Sequence, residues 1–225
     1  MNEDKRQLPD QERDATRFRY NRIARFYDLL EVFDERRFRP WRLSLLARST
    51  GRVLEVGVGT GKNFPFYPSG VALTGIDVAD KMLDVARERA ARMNLPVELI
   101  LGDVQSLPFY DDTFDTAVST FVFCSVPDPI GGLRELRRVV KPEGRILLLE
   151  HMHAGRPEAG VLEGLWGHLA GCLLGPEIRN RMDLAQVRLA GLEIESVEPR
   201  QDEEHVQEIV ARPNKVIVQG AGMAA

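Results

Sequence analysis

Apolar residues recur first with the period of a helix and then in short unbroken runs, and that change lays out the chain. Residues 1–14 (MNEDKRQLPDQERD) are polar and charged, and read as a loose tail. From Thr16 to about Leu46 the spacing is helical. Tyr20, Ile23, Ala24 and Tyr27 fall at i, i+3, i+4 and i+7, and Phe26, Leu29, Leu30 and Phe33 do the same. Pro40 predicts the start of a new helix running on through Trp41, Leu45 and Leu46.

Short apolar runs then take turns with amphipathic stretches. The runs predict strands at 52–57, 71–77, 97–101, 114–120 and 144–150, with helices near 61–67, 79–93 and 128–140. Strand and helix in alternation imply a parallel sheet covered on both faces. The helix at 79–93 carries Met82, Ala86, Ala90 and Met93 on one face, with Lys81, Arg87, Glu88 and Arg92 elsewhere. The last third is less periodic. VLEGLWGHLAGCLLG (161–175) is apolar and glycine-spaced, and DLAQVRLAGL (183–192) reads as a helix stopping at Gly191. IESVEPR and KVIVQG fit two final strands, one of them antiparallel, which makes seven.

Length and composition narrow the class. The chain's 225 residues suit one domain with a proper core. A formal charge of −4 argues against a general nucleic-acid binder. Cys124 and Cys172 stand apart in apolar surroundings, giving neither a metal-ligand spacing nor a disulfide framework. The first forty residues are heavily charged, and no run approaches the ~20 apolar residues that span a bilayer. The expectation is a cytoplasmic protein.

The densest chemistry lies at 53–61, VLEVGVGTG, where a strand-like run enters glycines at 57, 59 and 61. A buried strand ending in such a turn lets backbone amides approach a ligand closely. Sixteen residues on, VALTGID ends in Asp77, placed to accept from a ribose diol. The dinucleotide pattern GxGxxG would need glycine at Lys62, and the phosphate loop GxxxxGK[ST] fails at Val56 and Asn63. The remaining GxGxG suits a nucleoside ligand without a pyrophosphate.

Four blocks in order resemble the class I S-adenosylmethionine (SAM) dependent methyltransferases: VLEVGVGTG, GIDVADKMLDVARERA, ILGDVQSLPFYDDTFD and FVFCSVPDPIGGLRELRRVVKPEGRILLLEH. GVGTGKNFPFYP, FCSVPDP, LLEH and the upstream RYNRIARFYDLLE are similar to one branch of it. That branch holds bacterial phosphatidylethanolamine N-methyltransferases, quinone-biosynthesis C-methyltransferases and membrane-associated thiol methyltransferases. The resemblance implies an α/β, Rossmann-like, seven-stranded, mostly parallel sheet with helices on both faces. An N-terminal tail and helical lid would occupy 1–46, the methyltransferase domain 47–220, and a short tail 221–225.

The resemblance also implies residue roles, with SAM as cofactor. Gly57, Gly59 and Gly61 would pass beside its amino-acid part, with Glu55 orienting the loop. Asp77 would hold the ribose, Val78 and Met82 would flank the adenine, and Gly102, Asp103 and Val104 would meet its edge. Thr120 and Phe121 would lie beneath the sulfonium. Helix capping or a turn is the competing role for Asp77 and Asp103. Tyr27 is a candidate for cofactor or acceptor contact, as is Tyr20 two turns earlier. His151 follows the fifth strand and can take a proton near neutrality; His153 and His168 are weaker candidates. Cys124 reads as a buried small hydrophobe, since this displacement needs no covalent enzyme intermediate.

The N-terminal segment bears on the acceptor. Residues 13–42 hold nine arginines against five acids, inside a chain whose net charge is −4. A basic, aromatic amphipathic helix is what a segment lying on an anionic membrane surface looks like. The expectation is therefore a lipophilic acceptor and peripheral association at the inner membrane face. Phospholipid N-methylation of the phosphatidylethanolamine type comes first. C-methylation of a quinone precursor and S-methylation of a lipophilic thiol stay open, as does a non-catalytic SAM-binding module. A dehydrogenase comes last, given Lys62.

Overall fold

The structure, a computed structural model, describes residues 4–30, 32–152, 182–200 and 203–215. Inside the sheet lies β1 (Arg52–Val56), whose pattern of Val, Leu, Glu and Val is buried on both faces. Parallel neighbours are β2 (Ala72–Asp77) on one side and β4 (Phe114–Thr120) on the other, with Leu54 opposite Thr74 and Ala117. Beyond β2 lies β3 (Val97–Leu101), and beyond β4 lies β5 (Val140–His151). The sheet is completed by β6 (Leu192–Arg200) and β7 (Glu203–Pro213) in the order β3-β2-β1-β4-β5-β7-β6. Among the seven, β7 alone runs antiparallel to both its neighbours.

Side-chain alternation along β1 splits the core into two layers. Leu54 and Val56 face α4 (Pro129–Val139) and α5 (Leu184–Leu189), joining Leu133, Leu136 and Val187. Val53 faces the other layer, with Leu83 and Ala86 of α3 (Asp80–Met93) and Leu45 and Leu46 of α2 (Val32–Leu46). The cover helices are capped as their sequences demand. Asp128 accepts from Gly131 N–H at the start of α4, ahead of Pro129, and Asn94 ends α3 in the left-handed region at φ 51°.

Several expectations change. Helix α1 (Asp4–Leu30) begins well inside the stretch read as a tail, and Pro40 lies within α2 instead of opening it. Neither shift breaks the packing face, since Ile23, Ala24, Leu45 and Leu46 are all buried. The helix expected near 61–67 is a single 3-10 turn at Phe64–Phe66, with Pro65 at its start. The last strand among the described residues is at 203–213, a segment the sequence reading did not assign. A buried Glu208 hides its apolar pattern, and that carboxylate pairs with Arg48 at the end of α2 across 3.2 Å. Residues 216–220 lie outside the described residues, as do 161–175, His153, His168 and Cys172.

Candidate functional site

All the chemistry gathers where the parallel strands end. The C-terminal ends of β1, β2, β4 and β5 and the turn after β3 open into one cavity of about 360 Å³. Helix α1 forms its cover and is tied down at its middle and near its C-terminal end. Asn21 and Arg17 donate to Asp80 at 2.8 and 3.2 Å at the start of α3. Asp28 accepts from Thr60 Oγ1 at 2.7 Å and pairs with Arg89 of α3 and with Lys62.

The loop after β1 requires its glycines. Gly57 has φ +61°, and a Cβ there would sit 2.4 Å from Val122 Cγ2. Gly59 has φ +54°, yet a Cβ on it would meet nothing nearer than Gly57 O at 3.9 Å. Space beside Gly59 is thus open to a ligand, which is the cradle a nucleoside cofactor needs. Gly61 differs: it does not line the cavity, and the Phe64 ring packs where its side chain would be.

Asp77, at the tip of β2, accepts from Gly59 N–H and Ala79 N–H, both at 2.8 Å. It therefore pins the glycine loop and the approach to α3 while lining the cavity. Burial pushes its carboxyl up to about 6, against the pull of those amides. Glu55 lines the cavity from β1, accepting from Asn63 Nδ2 at 2.8 Å and Tyr67 Oη at 2.9 Å. Desolvation outweighs both bonds and lifts it to about 7. Tyr67 is raised well above a free phenol, first by burial and then by the facing carboxylate.

Val78, Met82, Gly102, Asp103 and Val104 form the far wall. Asp103 closes its own turn, accepting from Gln105 N–H at 2.9 Å and from the Gln105 amide at 3.0 and 3.1 Å, so the turn role and the cavity position coexist. Thr120 and Phe121 end β4, and Phe121 takes φ +59°, a strained value for an aromatic residue. Its backbone N–H donates to Leu149 O at 2.8 Å. The next amide, of Val122, donates to buried Glu150, and the two bonds hold the turn. The Phe121 ring stands 4.9 Å from His151 and 4.7 Å from Phe38, all three in the cavity wall. Tyr20 and Tyr27 enter from α1: their rings meet edge-on at 6.2 Å, Tyr20 Oη lies 3.1 Å from Ser125 Oγ, and the Lys62 ammonium sits over Tyr27. Burial raises the Cys124 thiol to about 12, so it supplies no thiolate at neutral pH.

Of the sequence-predicted residues, Tyr20, Tyr27, Glu55, Gly57, Gly59, Asp77, Val78, Met82, Gly102, Asp103, Val104, Thr120, Phe121 and His151 thus share one cavity. The sequence reading missed Phe38, Arg42 and Asn63. Arg42 is 6% exposed and donates to Asn63 Oδ1 at 2.7 Å and Thr120 Oγ1 at 2.9 Å. One signal could have found it: Arg42, Leu45 and Leu46 fall at i, i+3 and i+4, so a cation sits in an apolar stripe.

Residues 54–148 match the family described as "Methyltransferase domain". Over 115 residues the chain is 47% identical to a phosphatidylethanolamine N-methyltransferase of Cereibacter sphaeroides, covering 50% of this chain and 57% of that one. Over 144 residues it is 35% identical to a demethylmenaquinone methyltransferase of Tropheryma whipplei, covering 61% and 59%. The chain thus spans less than two thirds of the length of these relatives. A SAM-dependent methyltransferase of Thermotoga maritima superposes with a TM-score of 0.64 at 19% identity, over 88% of this chain and 99% of that one, a likeness of fold.

Proposed function

We propose that the chain is a SAM-dependent methyltransferase that acts on a lipophilic acceptor, foremost the amine of a phosphatidylethanolamine-type lipid. The observation that carries this reading is the double character of α1. Tyr20 and Tyr27 face the cavity, while Phe18 and Phe26 stand 66% and 64% exposed on the outside among Arg17, Arg22 and Arg25. An outward face of phenylalanines and arginines suits an anionic lipid surface, where rings insert and guanidinium groups meet phosphates. The relative from Cereibacter supports the same acceptor class. No helix among the described residues is long and apolar enough to cross a membrane, so contact through α1 would be peripheral.

When bound, SAM supplies a methyl group on a sulfonium: the S–CH₃ bond breaks as the bond to the acceptor nitrogen forms, and sulfur keeps the electron pair. The protein's share is alignment and exclusion of water, which such a displacement chiefly requires. Asp77 would orient the ribose while holding the glycine loop, and Asp103 the adenine edge. An ammonium acceptor must lose its proton before attack. His151 at the end of β5 is the residue to receive it, with the Tyr20 and Tyr27 hydroxyls able to orient the amine. The aromatic wall of Phe38, Phe121 and His151 keeps that end of the cavity dry.

C-methylation of a quinone precursor is the second reading, supported by the demethylmenaquinone methyltransferase relative. One assay separates the two: labelled SAM is incubated with the protein and a total lipid extract, and products are resolved by chemical class. Label in phospholipid head groups is expected. Label confined to the quinone fraction would replace the first reading by the second. The serine variant of both Phe18 and Phe26 should lose binding to anionic vesicles while keeping its affinity for S-adenosylhomocysteine.

A further inference from the structure

Helix α3 starts without a cap of its own. Its N-cap position is Ala79, which has no side-chain oxygen to offer the open amides of the first turn. The partner comes from α1. Asn21, 59 residues before Asp80 in the chain, donates from Nδ2 to Asp80 Oδ1 at 2.8 Å, and its Oδ1 accepts from Lys81 N–H at 2.9 Å. A side-chain amide suits both bonds, since it carries an acceptor for the backbone amide and a donor for the carboxylate. Aspartate at this place would bring a second carboxylate against Asp80.

What this turn carries gives the cap a consequence. Val78 and Met82 stand on either side of it and line the cavity, whereas Asn21 stands outside the lining. Ala79 and Met82 pack with Ile23 and Ala24 of α1 in a small apolar cluster separate from both layers of the core, with Tyr20 and Tyr27 against it. The start of α3 thus draws apolar contacts and its cap from the same helix. Ala79 N–H also donates to Asp77 Oδ1 at 2.8 Å, which ties the turn to the carboxylate at the tip of β2.

We propose that Asn21 is a positioning residue for the cofactor: by capping α3 from outside, it holds the turn from Val78 to Met82 in the form that receives the adenosyl group. An uncapped first turn frays, and only the closed fraction binds, so the apparent affinity falls in proportion to that fraction. Asn21 therefore acts on the ligand through α3 without touching it. The role rests on the cavity being the SAM site, and the two can fail separately.

Calorimetry with S-adenosylhomocysteine and amide exchange, both on the full chain, test it. Asn21→Ala should weaken the ligand by about fivefold, the usual worth of one helix cap, and speed exchange at Lys81 and in α1. Adding Ala79→Ser to that variant puts a hydroxyl at the N-cap of α3 itself, where it can accept from Lys81 N–H. Most of the affinity and the protection of Lys81 should return, while exchange in α1 stays fast because its contact with α3 is not repaired. A role confined to packing α1 could not be rescued from α3. Affinity within about twofold of the parent in Asn21→Ala overturns the proposal. So does a loss that persists in the double variant, which would assign Asn21 to the docking of α1. Failure of S-adenosylhomocysteine to bind the unmodified protein would overturn the SAM reading of the cavity, and this role with it.

Discussion

Replacing Glu150 with glutamine should flatten the loss of stability that this protein suffers as pH rises through neutrality. Glu150 is fully buried on β5, accepting from Ser119 Oγ at 2.7 Å and, through both oxygens, from Val122 N–H at 3.1 Å. Desolvation outweighs those bonds and raises its carboxyl from 4.5 to about 7. Between those values the folded state binds more protons than the unfolded chain. The contribution is therefore fully present below 4.5 and is lost as pH climbs through 7. At 1.36 kcal/mol for each pH unit between the two values, the loss is about 3 kcal/mol. Glutamine keeps an oxygen for Val122 N–H, and its amide can donate to Ser119 Oγ, so at acid pH the exchange should cost only about 1 kcal/mol. Urea unfolding at pH 5 and pH 8 measures both proteins. Glu55, also raised to about 7, and Asp77, raised to about 6, give both proteins a common decline. The variant should fall about 3 kcal/mol less than the parent across the interval. Parallel curves would mean that Glu150 does not titrate there and would refute the reasoning.

Four further outcomes follow from the site. Asp77→Asn removes the charge that Gly59 and Ala79 amides point at, and should weaken S-adenosylhomocysteine binding by about 1–3 kcal/mol; calorimetry giving an unchanged affinity would take Asp77 out of the site. In the parent, that affinity should fall as pH drops below about 6, where the Asp77 carboxyl gains its proton. Gly57→Ala should lower the melting temperature more than Gly59→Ala. Both lose a left-handed glycine at about 1–2 kcal/mol, but only the first drives a methyl into Val122; the reverse order in thermal unfolding would refute this. Asp28→Asn should release the end of α1 from its ion pairs with Lys62 and Arg89, speeding amide exchange in that helix. Unchanged protection would show that α1 is held by packing alone.

The sheet was legible because β1 to β4 are short apolar runs between turn residues, and buried parallel strands admit little else. The glycine loop and Asp77 were legible because their constraint is local: a positive φ, an open Cβ direction and a carboxylate at a strand tip. Arg42, Phe38 and Asn63 were not, since each reaches the cavity through a fold contact between segments far apart in the chain. Asn63 sits in a stretch whose helical spacing folds as one 3-10 turn, and that turn is what aims it at Glu55, Arg42 and Thr120. For β7, period-two reasoning failed because Glu208 interrupts the apolar run, and its ion pair with Arg48 joins segments far apart in the chain.

The position of β7 has a consequence for how the protein comes into being. This strand carries residues 203–213, yet it lies inside the sheet, between β5 and β6. During synthesis, a ribosome that has made the first two hundred residues has delivered every strand but the one joining β6 to the rest. Until β7 arrives, β5 presents a bare edge along Ile146 to His151, and β6 has no partner in the sheet. Exposed edges of this kind invite pairing with other chains. The nascent protein is thus open to aggregation in the interval before β7 is made, when its ligand-facing loops are already present and its sheet is still divided in two.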